Sequence, residues 1–519
     1  MERSFLVLAW LFGGFALLPI LGLALVLIDP PPDPFGLPAP QLSELLSSPI
    51  YIRLAQTTAL LGIVVASGST ALGALFAWAG ERFDFYGKKW LLLISLLPLA
   101  VPSYIMAATI GEMFNKAQLP GFMQDLSSGF IPAAISLIVI TTPYSQLTLS
   151  AALKSCSAAE EEASIILGAT PSERARLLVW PHIKAPLSFS FLIAFLYAIS
   201  DFGAVAALDL PVLTWRLYDA VRHQNLATAA ILGSFLIAIA LPPLLLAQYA
   251  SSQTPQKSVA NPRAITPIPL AKKHSFPLYL ILIGFIAVGL CLPLFQLSSW
   301  VWSGYTQNLE FASPFIPLLD SFKLAALGTA VTLMLTFPLA WSAQRTRFTI
   351  PFTQLSYLTS ALPGVLVAFG LMSSALLLSK QLGGGYALLL SSGILLFLGY
   401  GMRFLAECFG PLKTGVALLD KRHEDICATQ NIPKTYWFTK IAIPTMRPQI
   451  QAAALVVFLA ILKELPITLL LGGATGAKPL AFRIWDRYSE ALWHDAGLSG
   501  LILLMLALTI SFAILKKRI

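Results

Sequence analysis

Apolar runs of roughly twenty residues, each closed by charges or turn residues, recur from one end of the chain to the other. That length crosses a hydrocarbon layer as a helix. The runs predict about twelve helices, near 5–28, 55–80, 90–111, 130–152, 187–208, 226–249, 276–297, 321–343, 350–379, 386–408, 449–471 and 496–515. Pro143, Pro363 and Gly383-Gly384-Gly385 are the positions at which a predicted helix would break rather than bend. The first run follows only Met1-Glu2-Arg3-Ser4 and passes twenty apolar residues without a small-residue cleavage pattern, so it is expected to be a retained helix and not a signal peptide.

Composition agrees with this pattern. Of 519 residues 57% are hydrophobic and 11% charged, with a mean hydropathy of +0.76, whereas a soluble domain carries about 25% charged residues. A soluble globular protein and a disordered chain are both excluded. The 36 prolines and 34 glycines lie within or beside apolar runs, where membrane helices tolerate them as kinks and turns. The net charge of +9 comes from short basic groups between runs, with no basic face or RNA-binding aromatic pattern, so no nucleic-acid partner is expected. Counted by compartment, about 24 Lys and Arg fall on the side of the termini and about 9 opposite. The rich side holds Arg82, Lys154, Arg174, Arg176, Arg345, Lys421, Arg422, Lys434, Lys440 and the Lys516-Lys517-Arg518 end, which predicts both termini to be cytoplasmic. Cys156, Cys291, Cys408 and Cys427 are far apart, form no CxxC pair and have no His at metal-site spacing; they are read as reduced thiols.

The polar, proline-dotted, basic stretch 250–275 divides the runs six and six. It is read as a cytoplasmic linker between a first transmembrane domain, 1–249, and a second, 276–519. A shift of 263 positions lays Ala77-Trp78 on Ala340-Trp341, Arg82 on Arg345, Gly168 on Asn431, Pro181 on Pro444 and Asp201 on Glu464. Leu97-Pro98 meets Leu362-Pro363 after a two-residue adjustment. One shift satisfying several landmarks indicates an internal repeat. Two six-helix halves insert with the same orientation and can pair as a parallel pseudo-dimer around a central path.

The longest loop of the first half is charged and amphipathic at once. Gly168 suits a helix stop with positive φ. Thr170, Pro171 and Glu173 form a capping-box start for a second helix, which Pro181 is expected to close. This loop resembles the EAA loop of ABC-importer permeases, E-A-A, three residues, G, nine residues, I-x-L-P. Glu162, Ala163, Ser164, Gly168, Leu178 and Pro181 fill that frame. In the second half Asp425, Ile426, Cys427, Asn431, Ile441 and Pro444 occupy the same positions, with Asp for Glu, Ile-Cys for the alanine pair and Asn for Gly. Asn tolerates the left-handed conformation better than most residues, so the turn remains feasible.

The resemblance implies an all-α polytopic membrane protein of the type I ABC-importer permease fold, in the bacterial plasma (inner) membrane. In that family each loop seats a coupling helix on an ATP-hydrolysing subunit, so two copies of an ABC ATPase are the implied cytoplasmic partners, with an extracytoplasmic substrate-binding protein opposite and lipid around. The chain would bind no cofactor and have no catalytic residues of its own; ATP would be used by its partners. The chain also resembles the fused permeases of ferric-iron importers, through Thr142-Pro143-Tyr144, Ser200-Asp201-Phe202-Gly203-Ala204, Arg403-Phe404 and Lys463-Glu464-Leu465-Pro466-Ile467-Thr468-Leu469-Leu470-Leu471. Ferric iron is the cargo so implied. A thiamine or other small-solute permease shares this architecture, and an ion-gradient-driven secondary transporter shares its repeats and intramembrane acids.

Asp201, Glu464 and Lys463 are candidates for the translocation path or its outer rim. An ionised group at mid-bilayer costs about 2.5–3.5 kcal/mol on insertion scales, so these side chains should avoid lipid. Carboxylate oxygen suits a ferric ion, yet Lys463 can neutralise Glu464, and both acids can serve as helix-end contacts. No metal ligand set is identified. Gly472 to Lys478 lacks phosphate-loop spacing. Trp300, Trp302 and Tyr305 read as an interfacial aromatic belt.

Overall fold

The computed structural model describes residues 2–31, 48–116, 129–252, 266–270, 272–346, 348–381, 384–430 and 432–516. Asn431, Gly383 and most of the 250–275 stretch lie outside them. In the first half the helices are α1 (Glu2–Ala16), α2 (Leu18–Ile28), α3 (Pro49–Arg82), α4 (Lys88–Ile94), α5 (Ser103–Lys116), α6 (Phe130–Lys154), α7 (Ala158–Ile166), α8 (Pro171–Ser200), α9 (Gly203–Ala207), α10 (Leu213–Arg222) and α11 (Leu226–Ser252). Then follow α12 (Ser275–Thr306), α13 (Phe315–Arg345), α14 (Thr349–Ala361), α15 (Gly364–Gln381), α16 (Tyr386–Ser391), α17 (Ile394–Arg403), α18 (Leu405–Ala417), α19 (Lys421–Thr429), α20 (Lys434–Leu462), α21 (Pro466–Leu471), α22 (Leu480–Ser489) and α23 (Trp493–Lys516).

Among the described residues eight helices are long and apolar enough to cross a membrane, or eleven if each of three bent pairs is one crossing; the sequence pattern suggested about twelve. The difference arises at breaks within the runs, of which several fall at proline and one, between α17 and α18, at Phe404. The expected span 350–379 is divided into α14 and α15 because Pro363 forces Leu362 into an extended conformation, ψ 126°. Pro102 lies at a 101° bend in the segment expected as 90–111, and Pro19 follows a 42° bend between α1 and α2. Pro143, by contrast, sits inside an unbroken α6. The single strand pairing among the described residues is a two-residue parallel contact, Phe83–Asp84 with Ile268–Pro269. Trp302 and Tyr305 are exposed as an interfacial belt requires, whereas Trp300 is buried.

Packing sorts the helices into two compact units that draw on both sequence halves. One unit takes residues 1–45, 216–234 and 309–503; the other takes 46–215, 235–308 and 504–519. Each unit takes in helical segments from both sides of the 250–275 stretch. In the first unit α1 lies on α13 and α2 on α15. Phe5 of α1 joins an aromatic cluster with Phe337, Trp341 and Phe438, at centroid separations of 5.3–5.8 Å from its ring. Small residues allow the closest approach: a Cβ on Gly22 would meet the Gly370 carbonyl oxygen at 2.1 Å, and one on Gly370 the Pro19 carbonyl oxygen at 2.2 Å. Ser374 Oγ donates to the Leu18 carbonyl at 3.0 Å, satisfying a group near the α1–α2 break.

The other unit is built on α3, α6 and α8. Its core holds Leu61, Val65, Ala133, Leu137, Ala198 and Val205. Gly73 brings α3 against α6, where an added Cβ would meet Ser145 Cβ at 2.4 Å. The Ser69 and Ser145 hydroxyls are 3.2 Å apart at the same crossing. From the second half α12 contributes Phe285, edge-on to Phe76 at 5.1 Å.

Gly22→Val should therefore separate α2 from α15, at a cost of about 1–3 kcal/mol or more from overpacking. Gly14→Ala, with nothing within 4 Å of the new Cβ, should stay within about 0.5 kcal/mol of the parent. Thermal unfolding of the purified chain in detergent separates these; equal midpoints for both variants would refute the close approach.

Candidate functional site

The first loop folds as its residue types require. Glu160 and Glu161 occupy the first turn of α7, where the helix dipole favours acids. The helix stops at Gly168, φ +77°, with the Ala169 N–H donating to the Ser164 carbonyl at 3.0 Å. Thr170 then caps α8: Glu173 N–H donates to Thr170 Oγ1 at 3.3 Å and Thr170 N–H to Glu173 Oε2 at 2.8 Å.

Pro181 does not close the second helix. The backbone passes through a π turn at 175–179 and continues to Ser200. Proline has no N–H to donate, and its ring clashes with the carbonyl four residues back in a regular helix; the wide turn relieves that conflict. His182 Nδ1 lies 2.7 Å from the Leu178 carbonyl oxygen beside it. The second half repeats this to the residue, with a π turn at 438–442 and Pro444 in the first turn that follows.

Each loop is rooted by an ion pair to a buried arginine at the end of a long helix. Arg82, the last residue of α3, contacts Glu161 through Nη1, and Arg174 Nη1 approaches the same carboxylate at 3.8 Å. Arg345, the last residue of α13, meets Glu424 at 2.9 Å and donates from Nη2 to the Leu419 carbonyl at 3.2 Å. The two arginine side chains are only 9% and 5% exposed, so each needs a counter-charge. Each also lies over a tryptophan ring, Arg82 at 5.2 Å from Trp78 and Arg345 at 5.6 Å from Trp341.

The roots differ in what surrounds them. Beside Arg82 is a small cleft lined by Cys156, Glu160, Glu161, Arg174 and His182. Burial pushes the Cys156 thiol up, against the opposing effect of Arg82. At the equivalent positions the second root has Leu419 for Cys156 and Trp437 for Arg174. Trp437 packs with Trp341, Cys427, Ala442 and Met446 in an apolar cluster.

Among the residues of the EAA-like frame, Leu178 lines the first cleft, while Glu162, Ala163 and Pro181 are exposed. In the second loop Cys427 is buried with Ile441 beside it, and Asp425, Ile426 and Pro444 are exposed. The frame points to Glu162 and Asp425; the ion pairs use their neighbours Glu161 and Glu424. The 263-residue shift that aligns Arg82 with Arg345 also aligns these two glutamates, and this was the available signal.

Asp201 and Glu464 stand just past the ends of α8 and α20. Asp201 Oδ2 accepts from Ala204 N–H at 2.7 Å and Glu464 Oε1 from Ile467 N–H at 3.4 Å. Each acid thereby caps the short helix that follows, α9 or α21. Lys463 is the residue between α20 and Glu464. Among the described residues no group of three or more His, Cys, Asp or Glu is placed to hold a metal ion.

Residues 69–252 match the family described as binding-protein-dependent transport system inner membrane component. The chain is 27% identical to the Fe(3+)-transport system permease protein FbpB 2 of Haemophilus influenzae, over 91% of each chain. It is 25% identical to the sulfate transport system permease protein CysT of Synechococcus elongatus, over 40% of this chain and 78% of that one. With the ferric transport system permease protein FbpB of Actinobacillus pleuropneumoniae it shares 26% identity over 39% of this chain and 31% of that one. Residues 69–252 thus carry the domain of the binding-protein-dependent transport system inner membrane component, and the chain as a whole is similar to a ferric-transport permease over 91% of its length.

Proposed function

We propose that this chain moves ferric iron inward across the bacterial inner membrane by alternating access, driven through its two loops by separate ATPase subunits. The observation that carries this reading is the repeated loop root: a helix–turn–helix in each half, pinned by one buried arginine at the end of a membrane-length helix. Such a root passes a push on α7 or α19 directly to α3 or α13. A secondary transporter has no use for two such levers. The excess of Lys and Arg on the side of the loops and termini supports a cytoplasmic position for both, with an extracytoplasmic binding protein delivering cargo to the other face. Iron is favoured over sulfate because the ferric relative aligns over 91% of this chain and the sulfate relative over 40%.

The test is uptake of radiolabelled ferric iron, thiamine and sulfate into vesicles containing this chain, its ATPase and its binding protein, with and without ATP. ATP-dependent iron uptake is expected. Thiamine or sulfate uptake would change the cargo, and gradient-driven uptake without ATP would overturn the mechanism.

Glu161→Gln and Glu424→Gln each strand a buried arginine, loosening the loop by on the order of 1–3 kcal/mol, between the exposed and fully buried limits. Each should leave membrane insertion intact and reduce uptake per ATP hydrolysed. The exchange Arg82→Glu with Glu161→Arg should recover part of the loss; unchanged coupling in both single variants would sink the lever. Glu162→Gln and Gly168→Val should weaken ATPase association, Gly168 because no side chain sits easily at φ +77°.

If Asp201 and Glu464 act only as helix caps, Asp201→Asn and Glu464→Gln should retain iron transport within about threefold, since an amide oxygen still accepts the backbone bond. A selective loss of iron uptake in correctly assembled complexes would place these carboxylates on the cargo path.

A further inference from the structure

The two loops share a backbone plan but not a surface. From Ala158 to His182 the first has a formal charge of −2, and the same register of the second, Lys421 to Thr445, has +2. At the end of α7 stand Ile165, Ile166 and Leu167, the last two 86% and 85% exposed. The shift of 263 places Ala428, Thr429 and Gln430 there in the second loop. Thr429 Oγ1 donates to the Ile426 carbonyl at 2.8 Å.

The apolar tip is not needed to make the turn, which rests on the Gly168 backbone. A contiguous exposed apolar patch of this kind marks a surface that another body covers. Charge decides which. Glu160 and Glu162 are exposed on the same helix, and an acidic loop is repelled by the anionic inner leaflet. An apolar protein cleft rimmed by basic side chains complements the tip in both respects. The second loop, polar at the tip and cationic, does not complement that cleft, because a surface matched to one sign of charge discriminates against the other.

Resting on the coupling reading above, we propose that the first loop is the dominant seat for an ATPase subunit, which takes Ile165, Ile166 and Leu167 into an apolar, basic-rimmed cleft. The second loop holds the other copy more weakly, so two identical ATPase copies are bound unequally. The first copy to arrive occupies the first loop, and the second copy is the one lost on dilution.

Native mass spectrometry of the purified full complex in a dilution series tests this. The wild type should pass through a population with one ATPase copy before losing both. I166T/L167Q, which gives the first tip the residues of the second, should lower the tighter affinity by more than tenfold. T429I/Q430L should strengthen the weaker site. Simultaneous loss of both copies from the wild type, with equal sensitivity of both loops, would overturn the inequality and leave coupling intact. An I166T/L167Q chain that keeps its ATPase affinity but loses binding to anionic vesicles would show that lipid covers the tip, against the proposal. Retention of both copies by a chain changed in both loops, I166T/L167Q with I426S/Y436S, would overturn the coupling reading itself.

Discussion

A cation withdrawn from water at the end of a long helix must be neutralised by whatever lies within reach of its side chain. Arg82 and Arg345 set that requirement in this protein, and Glu161 and Glu424 meet it. Everything at the loops follows from the placement of those charges. Glu161 ties α7 to the end of α3, and Gly168 turns the chain from α7 into α8. The π turn then lets α8 run past Pro181 without interruption. Loop and membrane helix are therefore one continuous mechanical element in each half.

The pinning would mean little without rigid helices behind it. The helix bearing Arg82 is held by the close approach of Gly73 to Ser145 and by the Ser69 and Ser145 hydroxyls paired across α3 and α6, and the helix bearing Arg345 bonds its buried Thr332 and Thr336 hydroxyls to its own preceding turn. These satisfy polar groups that hydrocarbon cannot. The second root adds an aromatic cluster around Trp341 and Trp437, so its arginine is sandwiched where the first has an open cleft. The repeat has kept the charge pair and varied the packing around it.

Much of this was legible in the sequence. Spans, repeat shift, the Gly168 stop and the Thr170 capping box all depend on local residue chemistry, and the shift reproduces the loop elements to the residue. What escaped is non-local or degenerate. Pro181 looks like a terminator because proline usually is one, and only the preceding wide turn makes it admissible. Glu161 and Glu162 are indistinguishable from a motif read in one copy, since the deciding fact is which of them faces an arginine 79 positions away. The pairing of α2 with α15 depends on two glycines whose complementarity has no periodic signature.

That pairing bears on how the protein is made. Because one unit needs residues 1–45 together with 309–503, and the other needs 46–215 together with 504–519, neither can finish until most of the chain has left the ribosome. The first helices to be inserted must wait in the bilayer for partners synthesised hundreds of residues later. Separate expression of the two halves would part α1 and α2 from α13 and α15, and α12 from α5. Joining them in one polypeptide supplies those late partners at high local concentration, in equal number and in the same patch of membrane.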